Sequence, residues 1–343
     1  MKLAEIEGGG KMAEIESKVE KQGQTRFALS DVFSTGFLLR TTGLPVVVIL
    51  LCIIFAVIQP RFATFSNLQN VSRQASLLAI IATAQTFPIL SGGFDVSLGS
   101  QIAAVSIVST LVIKQIGMPL GFLAGIVFGS LLGTVNGFII ARFSVSPFVV
   151  TLGMMSFARG LALIITDGQP VFGMPPGFRY LGNQYFGPIP IPAIIAIVVF
   201  AVAYFILSRT RLGRYMYAIG GNAEAARLSG IHVSRYRMLA YTFCGFFTAI
   251  MALVLSSRVD SGQPAIGAGA EMESIAAVVI GGVALGGGQG SILNVIFGVI
   301  IISLLSNGLN LINVSSYLQL MTIGMVIVAA VVIDQLRHKE SAG

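Results

Sequence analysis

The sequence predicts an all-α integral membrane protein with about ten transmembrane helices, some of them interrupted by glycine-rich stretches. Three observations predict this fold class. Of the 343 residues, 55% are hydrophobic and 10% are charged, whereas soluble proteins carry about 25% charged residues. Ten apolar runs approach the length of about 20 residues that a helix needs to cross a bilayer. Glycine-rich stretches interrupt these runs, and a basic loop at 209–238 divides them.

The apolar runs define the predicted spans in chain order. They are 44–59, 74–91, 98–116, 119–141, 146–166, 190–208, 239–257, 272–286, 290–309 and 315–334. The eighth is short, and the second and third nearly adjoin. The transmembrane domain is therefore predicted over 44–334, between an N-terminal tail (1–43) and a C-terminal tail (335–343).

The distribution of basic residues predicts the orientation of these spans. An even number of spans places both termini on one side. Fifteen of the 21 Lys and Arg residues then lie on the side of the tails and of the 209–238 loop, five lie on the other side, and Arg159 falls within a span. The positive-inside rule makes the fifteen-residue side cytoplasmic. The start of the chain lacks the pattern of a cleaved signal peptide, and we expect a mobile cytoplasmic tail there.

The 209–238 loop contains a short helix with its own start and stop signals. Asn222 is a natural N-cap, Glu224 favours the positive helix N-terminus, and Gly230 suits the residue after the helix. The candidate residues are Gly220, Gly221, Asn222, Glu224, Ala225, Arg227, Leu228 and Gly230. Leu228 belongs to a small apolar face. Such a helix is too short to be stable alone, so it indicates either a docking element or an ordinary solvated loop.

Glycine-rich breaks separate the second from the third span and the eighth from the ninth. Non-helical backbone at membrane depth must be buried in protein or line a water-filled cavity, and paired broken helices point to the pathway of a transporter. The candidate path residues are Gly92, Gly93, Asp95, Ser97, Gly281 and Gly282. The alternative is that the breaks are tight turns at the membrane surface, with Asp95 and the serines as helix caps. For Asp95 itself we favour the cap.

Three further charges fall within or beside the spans. Arg159, Glu271 and Glu273 are candidate structural or gating charges, because a charge at membrane depth costs about 2.5–3.5 kcal/mol unless it is paired or hydrated. A structural ion pair or an interfacial anchor is the favoured role. No acid or His recurs at helical spacing, which disfavours a proton relay. Two histidines and two cysteines are too few for a His/Cys metal site, so no metal is predicted.

Other functional classes fit the sequence less well than a transporter. The stretch GGGQGS at 286–291 lacks the Lys of an ATP-binding loop, and no catalytic residue is predicted, so we expect no enzyme. The basic residues are dispersed between apolar runs, which argues against nucleic-acid binding. A passive channel is harder to exclude, since glycine-rich breaks can form a constriction.

Four stretches resemble the permease subunit of a bacterial ATP-binding-cassette (ABC) importer of the ribose/monosaccharide type. They are GGFDVSLGS (92–100), PFVVTLGMMSFARGLALIITDGQP (147–170), LGRYMYAIGGNAEAARLSGI (212–231) and SGQPAIGAGAEMESIAAVVIGGVALGGGQGS (261–291). With the runs between them, the resemblance covers about 44–334 in the family's order. Phe94, Val96 and Leu98 depart from the expected aliphatic residues but keep the apolar character.

The resemblance implies a multi-pass protein of the bacterial inner membrane that assembles with partners. Two permease copies or paralogues would form the path as a dimer in the lipid bilayer. A periplasmic sugar-binding protein would deliver the substrate, and an ABC ATPase subunit would hold ATP and Mg²⁺, with no cofactor in this chain. The helix from Asn222 to Ser229 would be the coupling helix that docks on the ATPase. A non-sugar small solute, or an ion-coupled secondary transporter, remains the alternative.

Overall fold

The structure is a computed structural model that describes residues 35–340, with side chains described for residues 43–326, 328, 329 and 332. Residues 1–34 of the predicted N-terminal tail (1–43) and residues 341–343 of the predicted C-terminal tail (335–343) lie outside the described residues. The chain divides into two compact units, one ending at Val46 and one beginning at Val47. The helix at 35–58 contains residues of both units, and every later element belongs to the second unit.

The described range forms thirteen helices and one small hairpin. In chain order the helices are α1 (Thr35–Ile58), α2 (Phe65–Leu90), α3 (Leu98–Ile116), α4 (Met118–Phe143), α5 (Pro147–Thr166), α6 (Tyr180–Asn183), α7 (Ile191–Arg209), α8 (Arg211–Gly221), α9 (Ala223–Leu228), α10 (Val233–Val259), α11 (Ala270–Ile280), α12 (Ile292–Leu311) and α13 (Ser316–Glu340). A 3-10 helix (Pro60–Ala63) precedes α2. The strands β1 (Tyr185–Phe186) and β2 (Ile189–Pro190) pair antiparallel, with Tyr185 opposite Pro190.

Each of the ten predicted spans overlaps a helix, which confirms the all-α class. Within the described residues, six helices are long and apolar enough to cross a membrane, namely α3, α4, α5, α7, α10 and α12. The count of ten spans is not confirmed. α1 begins at Thr35, nine residues before the first predicted span. α2 has 26 residues but a polar first half, and α11 has only 11 residues.

α4 packs against its neighbours through glycines spaced four residues apart. They are Gly121, Gly125, Gly129, Gly133 and Gly137. A Cβ on Gly121 would lie 2.2 Å from Ile113 of α3, and one on Gly133 would lie 2.2 Å from the carbonyl oxygen of Tyr241 in α10. The missing side chains let three backbones approach closely, as small residues do in membrane helix interfaces.

α2 lies at the centre of the main hydrophobic core. Its residues from Ile80 to Leu90 are all buried, among side chains of α7, α10, α11 and α12. This burial explains why a helix with Thr83, Gln85 and Thr86 in its second half belongs to the bundle. Its surroundings are protein rather than lipid, so it does not need an apolar surface all round.

The eighth predicted span is wrong in its bounds. The segment 261–269 is not helical and runs beside α3: Gly262 lies against Thr110, and Gly267 lies against Gly99 and Ile102. α11 then begins at Ala270 and ends at Ile280, six residues before the predicted end. Non-helical backbone of this kind is tolerated only where protein surrounds it or where it lines a cavity.

Candidate functional site at the glycine breaks and the short loop helix

The short loop helix α9 has both of its predicted caps. The Asn222 side chain accepts a hydrogen bond from the backbone nitrogen of Ala225 at 2.9 Å. At the other end, Gly230 has φ +83° and donates its N–H to Arg227, while Ile231 donates to Ala226. This pair of bonds is a Schellman C-cap, which needs a residue with positive φ after the helix. The helix therefore begins and ends where the sequence rules place it.

The outer surface of α9 carries an ion pair and one large apolar side chain. Arg227 donates from Nε to Glu224 at 2.9 Å. Arg227 holds the pKa of Glu224 below its ordinary value, so the pair is present at neutral pH and is lost only as the pH falls through that lowered pKa. Leu228 is 75% exposed, whereas Ala226 is buried against the bundle. α9 thus presents a leucine and two charges outward.

Three glycine segments meet at the end of the bundle where α8 and α9 lie, which we call the α9 end. A Cβ on Gly220 would lie 2.0 Å from the carbonyl oxygen of Leu90 and 2.4 Å from the nitrogen of Gly288. A Cβ on Gly287 would lie 2.7 Å from the Cα of Gly92. We call this contact of Gly92, Gly220 and Gly287–Gly288 the glycine joint. It brings the two predicted breaks against the residues that lead into α9.

Two hydrogen bonds reinforce the glycine joint. Gly288 donates its N–H to Leu90 at 3.1 Å, which links the second break to the end of α2. The hydroxyl of Tyr217 in α8 donates to the carbonyl of Gly290 at 3.1 Å. Burial raises the pKa of Tyr217 above its ordinary value, so this hydroxyl stays protonated and remains a donor. Helix α8 is therefore bonded to the second break through Tyr217 and lies against the end of α2, beside the first break, at Gly220.

Asp95 lies in a buried polar cluster that joins the first break to α3 and α4. Its carboxylate accepts from the backbone nitrogen of Ser97 at 2.8 Å and from the amides of Gln101 and Asn136, each at 3.2 Å. The Ser97 hydroxyl also donates to this carboxylate. Asp95, Ser97, Gln101 and Asn136 are all fully buried. The bond from the Ser97 nitrogen forms a local turn before α3. The N-cap of α3 is Ser97 and has no side-chain capping bond, so Asp95 is not itself the helix cap that we favoured.

The predicted path residues separate into two groups. Gly92 and Gly93 lie in the first break, and a Cβ on Gly93 would lie 2.6 Å from the Tyr241 hydroxyl. Gly281 and Gly282 end α11, and a Cβ on Gly281 would lie 2.7 Å from the Cα of Val295 in α12. The structure therefore brings the first break to the glycine joint and places Gly281 in the packing of α11 on α12. Their role in a path remains a prediction.

The three candidate charges lie around the non-helical segment 261–269. Arg159 donates to the backbone carbonyl of Pro264 at 2.7 Å, which holds this segment against α5. Glu271 lies beside Gly99 at the start of α11. Glu273 lines a cavity between helices. Within the described residues no group of three or more His, Cys, Asp or Glu side chains is placed to hold a metal ion.

Sequence reasoning missed several members of this site. Gln101 and Asn136 complete the Asp95 cluster, and Tyr217 bonds the second break. Asn136 and Gln101 are amides inside apolar helices, which is a usable signal that they have buried partners. Tyr217 gave no signal. Gly287–Gly288 belong to a predicted break, but the sequence contains no signal of their contact with Gly220, which is about 70 residues away along the chain.

Comparison with known proteins identifies the family. Residues 67–331 match the family described as branched-chain amino acid transport system / permease component. This match spans more than three quarters of the chain. The chain belongs to this permease family.

Three individual relatives are similar to the chain over most of their length. The chain is 40% identical to the ribose import permease protein RbsC of Bacillus subtilis over 83% of this chain and 90% of the relative. It is 37% identical to RbsC of Escherichia coli K12 over 89% and 97%, respectively. It is 36% identical to the L-arabinose transport system permease protein AraH of Escherichia coli K12 over 90% and 94%. No solved structure matches the chain.

The comparisons confirm the resemblance that the four sequence stretches indicated. The relatives are transport permeases rather than enzymes, and permeases of this type work with an ATPase and a binding protein. The six apolar helices agree with a multi-pass membrane protein. The absence of catalysis and the orientation of the termini remain predictions.

Proposed function

We propose that this chain is the permease subunit of an ABC importer that forms the membrane path for a monosaccharide. The observation that carries the proposal is the similarity to ribose and arabinose permeases along nearly their whole length. A periplasmic sugar-binding protein delivers the substrate, and a separate ATPase subunit with ATP and Mg²⁺ drives transport. Two permease copies or paralogues form the path within the bacterial inner membrane.

The α9 end is the side on which the ATPase acts in this proposal. Both termini and α9 are then cytoplasmic, as the distribution of Lys and Arg indicates. α9 supports this assignment because it is rigidly capped at both ends and because Leu228 is exposed without a packing role inside the chain. Movement of α9 reaches the breaks through the glycine joint. The permease thus alternates between two arrangements that nucleotide and the loaded binding protein favour differently.

The test is reconstitution of the complete importer. The chain is co-expressed with the ATPase and binding-protein genes that neighbour its own gene, and ATP hydrolysis and uptake are measured in proteoliposomes. The panel contains ribose, arabinose and leucine, the last because the family is described by branched-chain amino acids. We expect one sugar to stimulate both ATP hydrolysis and uptake.

Three results would contradict the proposal. Stimulation by leucine alone would replace the sugar with an amino acid. Uptake by the chain without ATPase, driven by an ion gradient, would indicate a secondary transporter. Stimulation by no member of a wider sugar panel, in an assembled complex, would remove the sugar assignment.

A further inference from the structure

A small cavity with four polar side chains lies between α2, α10, α11 and α12. Its volume is about 140 Å³, and Gln74, Glu273, Ser303 and Ser306 face it, together with apolar side chains such as Met251. None of these polar residues belongs to the glycine joint or to the Asp95 cluster. The cavity can hold several water molecules or part of a sugar ring.

The cavity lies well inside the helices that are apolar enough to cross a membrane. Met251 is eight residues from the end of α10 at Val259, and Ser303 is eight residues from the end of α12 at Leu311. At 1.5 Å per residue, both lie about 12 Å inside those helix ends. The hydrocarbon core of a bilayer is about 30 Å thick. Ser303 and the apolar wall at Met251 therefore lie at a depth that a translocated solute must pass.

The Ser303 hydroxyl is available to bond a molecule in the cavity. Ser303 is 1% exposed, and its hydroxyl has no hydrogen-bond partner within the part of the chain that is described. Other helical hydroxyls in this protein bond the carbonyl one turn earlier, as Ser130 does with Ile126 and Thr248 with Cys244. A buried hydroxyl without a partner is unfavourable unless a ligand or water completes it. Ser303 is thus free to bond a molecule in the cavity.

Glu273 and Gln74 are further polar side chains of the cavity that can bond a ligand. Both side chains are exposed, although they lie beside buried helices. A carboxylate exposed at this depth needs water or a polar ligand rather than lipid. Glu273 accepts hydroxyl hydrogens, whereas Gln74 both donates and accepts. The negative charge disfavours an anionic solute, and the apolar wall at Met251 suits the carbon face of a sugar.

We propose that this cavity is a contact site for a neutral monosaccharide on its way through the membrane, with Glu273 and Ser303 bonding its hydroxyls. The inference rests on the proposed function and adds the residues of this chain that select the solute. Binding must stay weak, because a solute that is held tightly does not leave the path. The site therefore selects among sugars during passage and does not hold any of them tightly.

The experiment uses the reconstituted importer with saturating, sugar-loaded binding protein. Variants Ser303→Ala and Glu273→Gln are compared with Ser130→Ala, a control serine whose hydroxyl already bonds Ile126 in α4. Sugar uptake per ATP hydrolysed is measured for ribose and for its 2-deoxy analogue. We expect about a tenfold loss of ribose uptake per ATP in either cavity variant, with assembly of the ATPase unchanged and with Ser130→Ala behaving as the wild type.

The ratio of ribose to deoxyribose uptake separates recognition from structural damage. Loss of a hydroxyl contact lowers this ratio, because a site that bonds hydroxyls discriminates against a sugar that lacks one. An unchanged ratio in both variants would overturn the cavity assignment, as would equal loss of uptake and ATP hydrolysis. If the wild type imports no sugar, the proposed function itself fails. If the wild type imports sugar and both variants match it, only the cavity assignment fails.

Discussion

At the residue scale, the Asp95 cluster shows how the bundle stabilises a carboxylate without a basic partner. Both oxygens of Asp95 accept hydrogen bonds, from Ser97 and from the amides of Gln101 and Asn136. Ser97 also accepts from both amides. Neutral donors thus replace the water that a buried carboxylate loses. The cluster fixes the first break relative to α3 and α4.

We predict that Asp95→Asn destabilises the permease. The new amide nitrogen would face a donor on at least one side of the cluster, which leaves buried groups unpaired at a cost of about 1–3 kcal/mol. The measurement is the thermal midpoint of the purified protein, with uptake measured in parallel. Asp260→Asn is a control, because Asp260 lies at an exposed turn near Arg179. Full thermal stability with lost uptake would instead assign Asp95 to the path.

The local rules of helix capping predicted α9 residue by residue. Asn222 and Gly230 act through neighbours within four residues, so the sequence alone contains the information. The Asp95 cluster is different, because Asn136 reaches Asp95 from 41 residues away. Sequence spacing does not reveal that contact. Only the packing of α4 against α3 brings the two side chains together.

At the element scale, the glycine joint makes the breaks and α8 depend on one another. At Gly220, Gly287 and Gly288 the segments approach so closely that an added Cβ would clash with the backbone of a neighbouring segment. Packed elements of this kind have few intermediate positions, so a shift of α8 is passed to both breaks. The joint therefore provides a physical connection between the loop that carries α9 and the helices of the bundle.

We predict that Gly220→Ala uncouples ATP hydrolysis from transport. Its Cβ would meet the backbone of Leu90 and Gly288, and the segments must separate to admit it. Gly221→Ala is a matched control one residue away, because nothing lies within 4 Å of its Cβ. We expect uptake per ATP to fall at least fivefold in Gly220→Ala and to stay near wild type in Gly221→Ala. Equal behaviour of the two variants would show that the joint has no such role.

The helices were predictable as elements because apolar runs of about 20 residues are a strong signal. The bounds of α11 were less predictable, because the helix ends at Ile280 and the neighbouring segment 261–269 is held by the bundle without forming a helix. Its contacts with Thr110 and Gly99 of α3 and with Arg159 of α5 are tertiary. The second break was predictable in part. Its glycines indicated that the helix is interrupted, but they did not indicate the contact with Gly220.

At the scale of the whole molecule, apolar and polar surfaces are distributed unlike those of a soluble protein. Large apolar side chains are exposed along α4, α5 and α7, including Val127, Phe157 and Phe205. Polar side chains such as Gln101 and Asn136 are buried among helices, where they share hydrogen-bond partners. This arrangement suits lipid outside and polar contacts inside. Exposed Leu228 is an exception, because it lies on the polar, basic loop rather than on an apolar helix.

The exposure of Leu228 leads to a prediction about assembly. Docking of α9 in a groove on the ATPase would bury this side chain, and burial of a leucine contributes about 1.5–3 kcal/mol. We therefore expect Leu228→Ser to weaken association with the ATPase by about tenfold or more, measured by co-purification at several salt concentrations. The thermal midpoint of the permease alone should not change, because Leu228 has no role in the core. Leu228→Met, which preserves the apolar bulk, should restore association.

The same experiment distinguishes the leucine from the helix that carries it. Replacement of residues 220–229 by a flexible linker removes Leu228, the N-cap Asn222 and the ion pair of Glu224 with Arg227. It should abolish association, whereas Leu228→Ser should only weaken it, because α9 remains folded. If the ATPase co-purifies normally with the linker variant, α9 is a solvated loop helix. Movement of the ATPase would then have to reach the glycine joint through a contact with another surface of the permease.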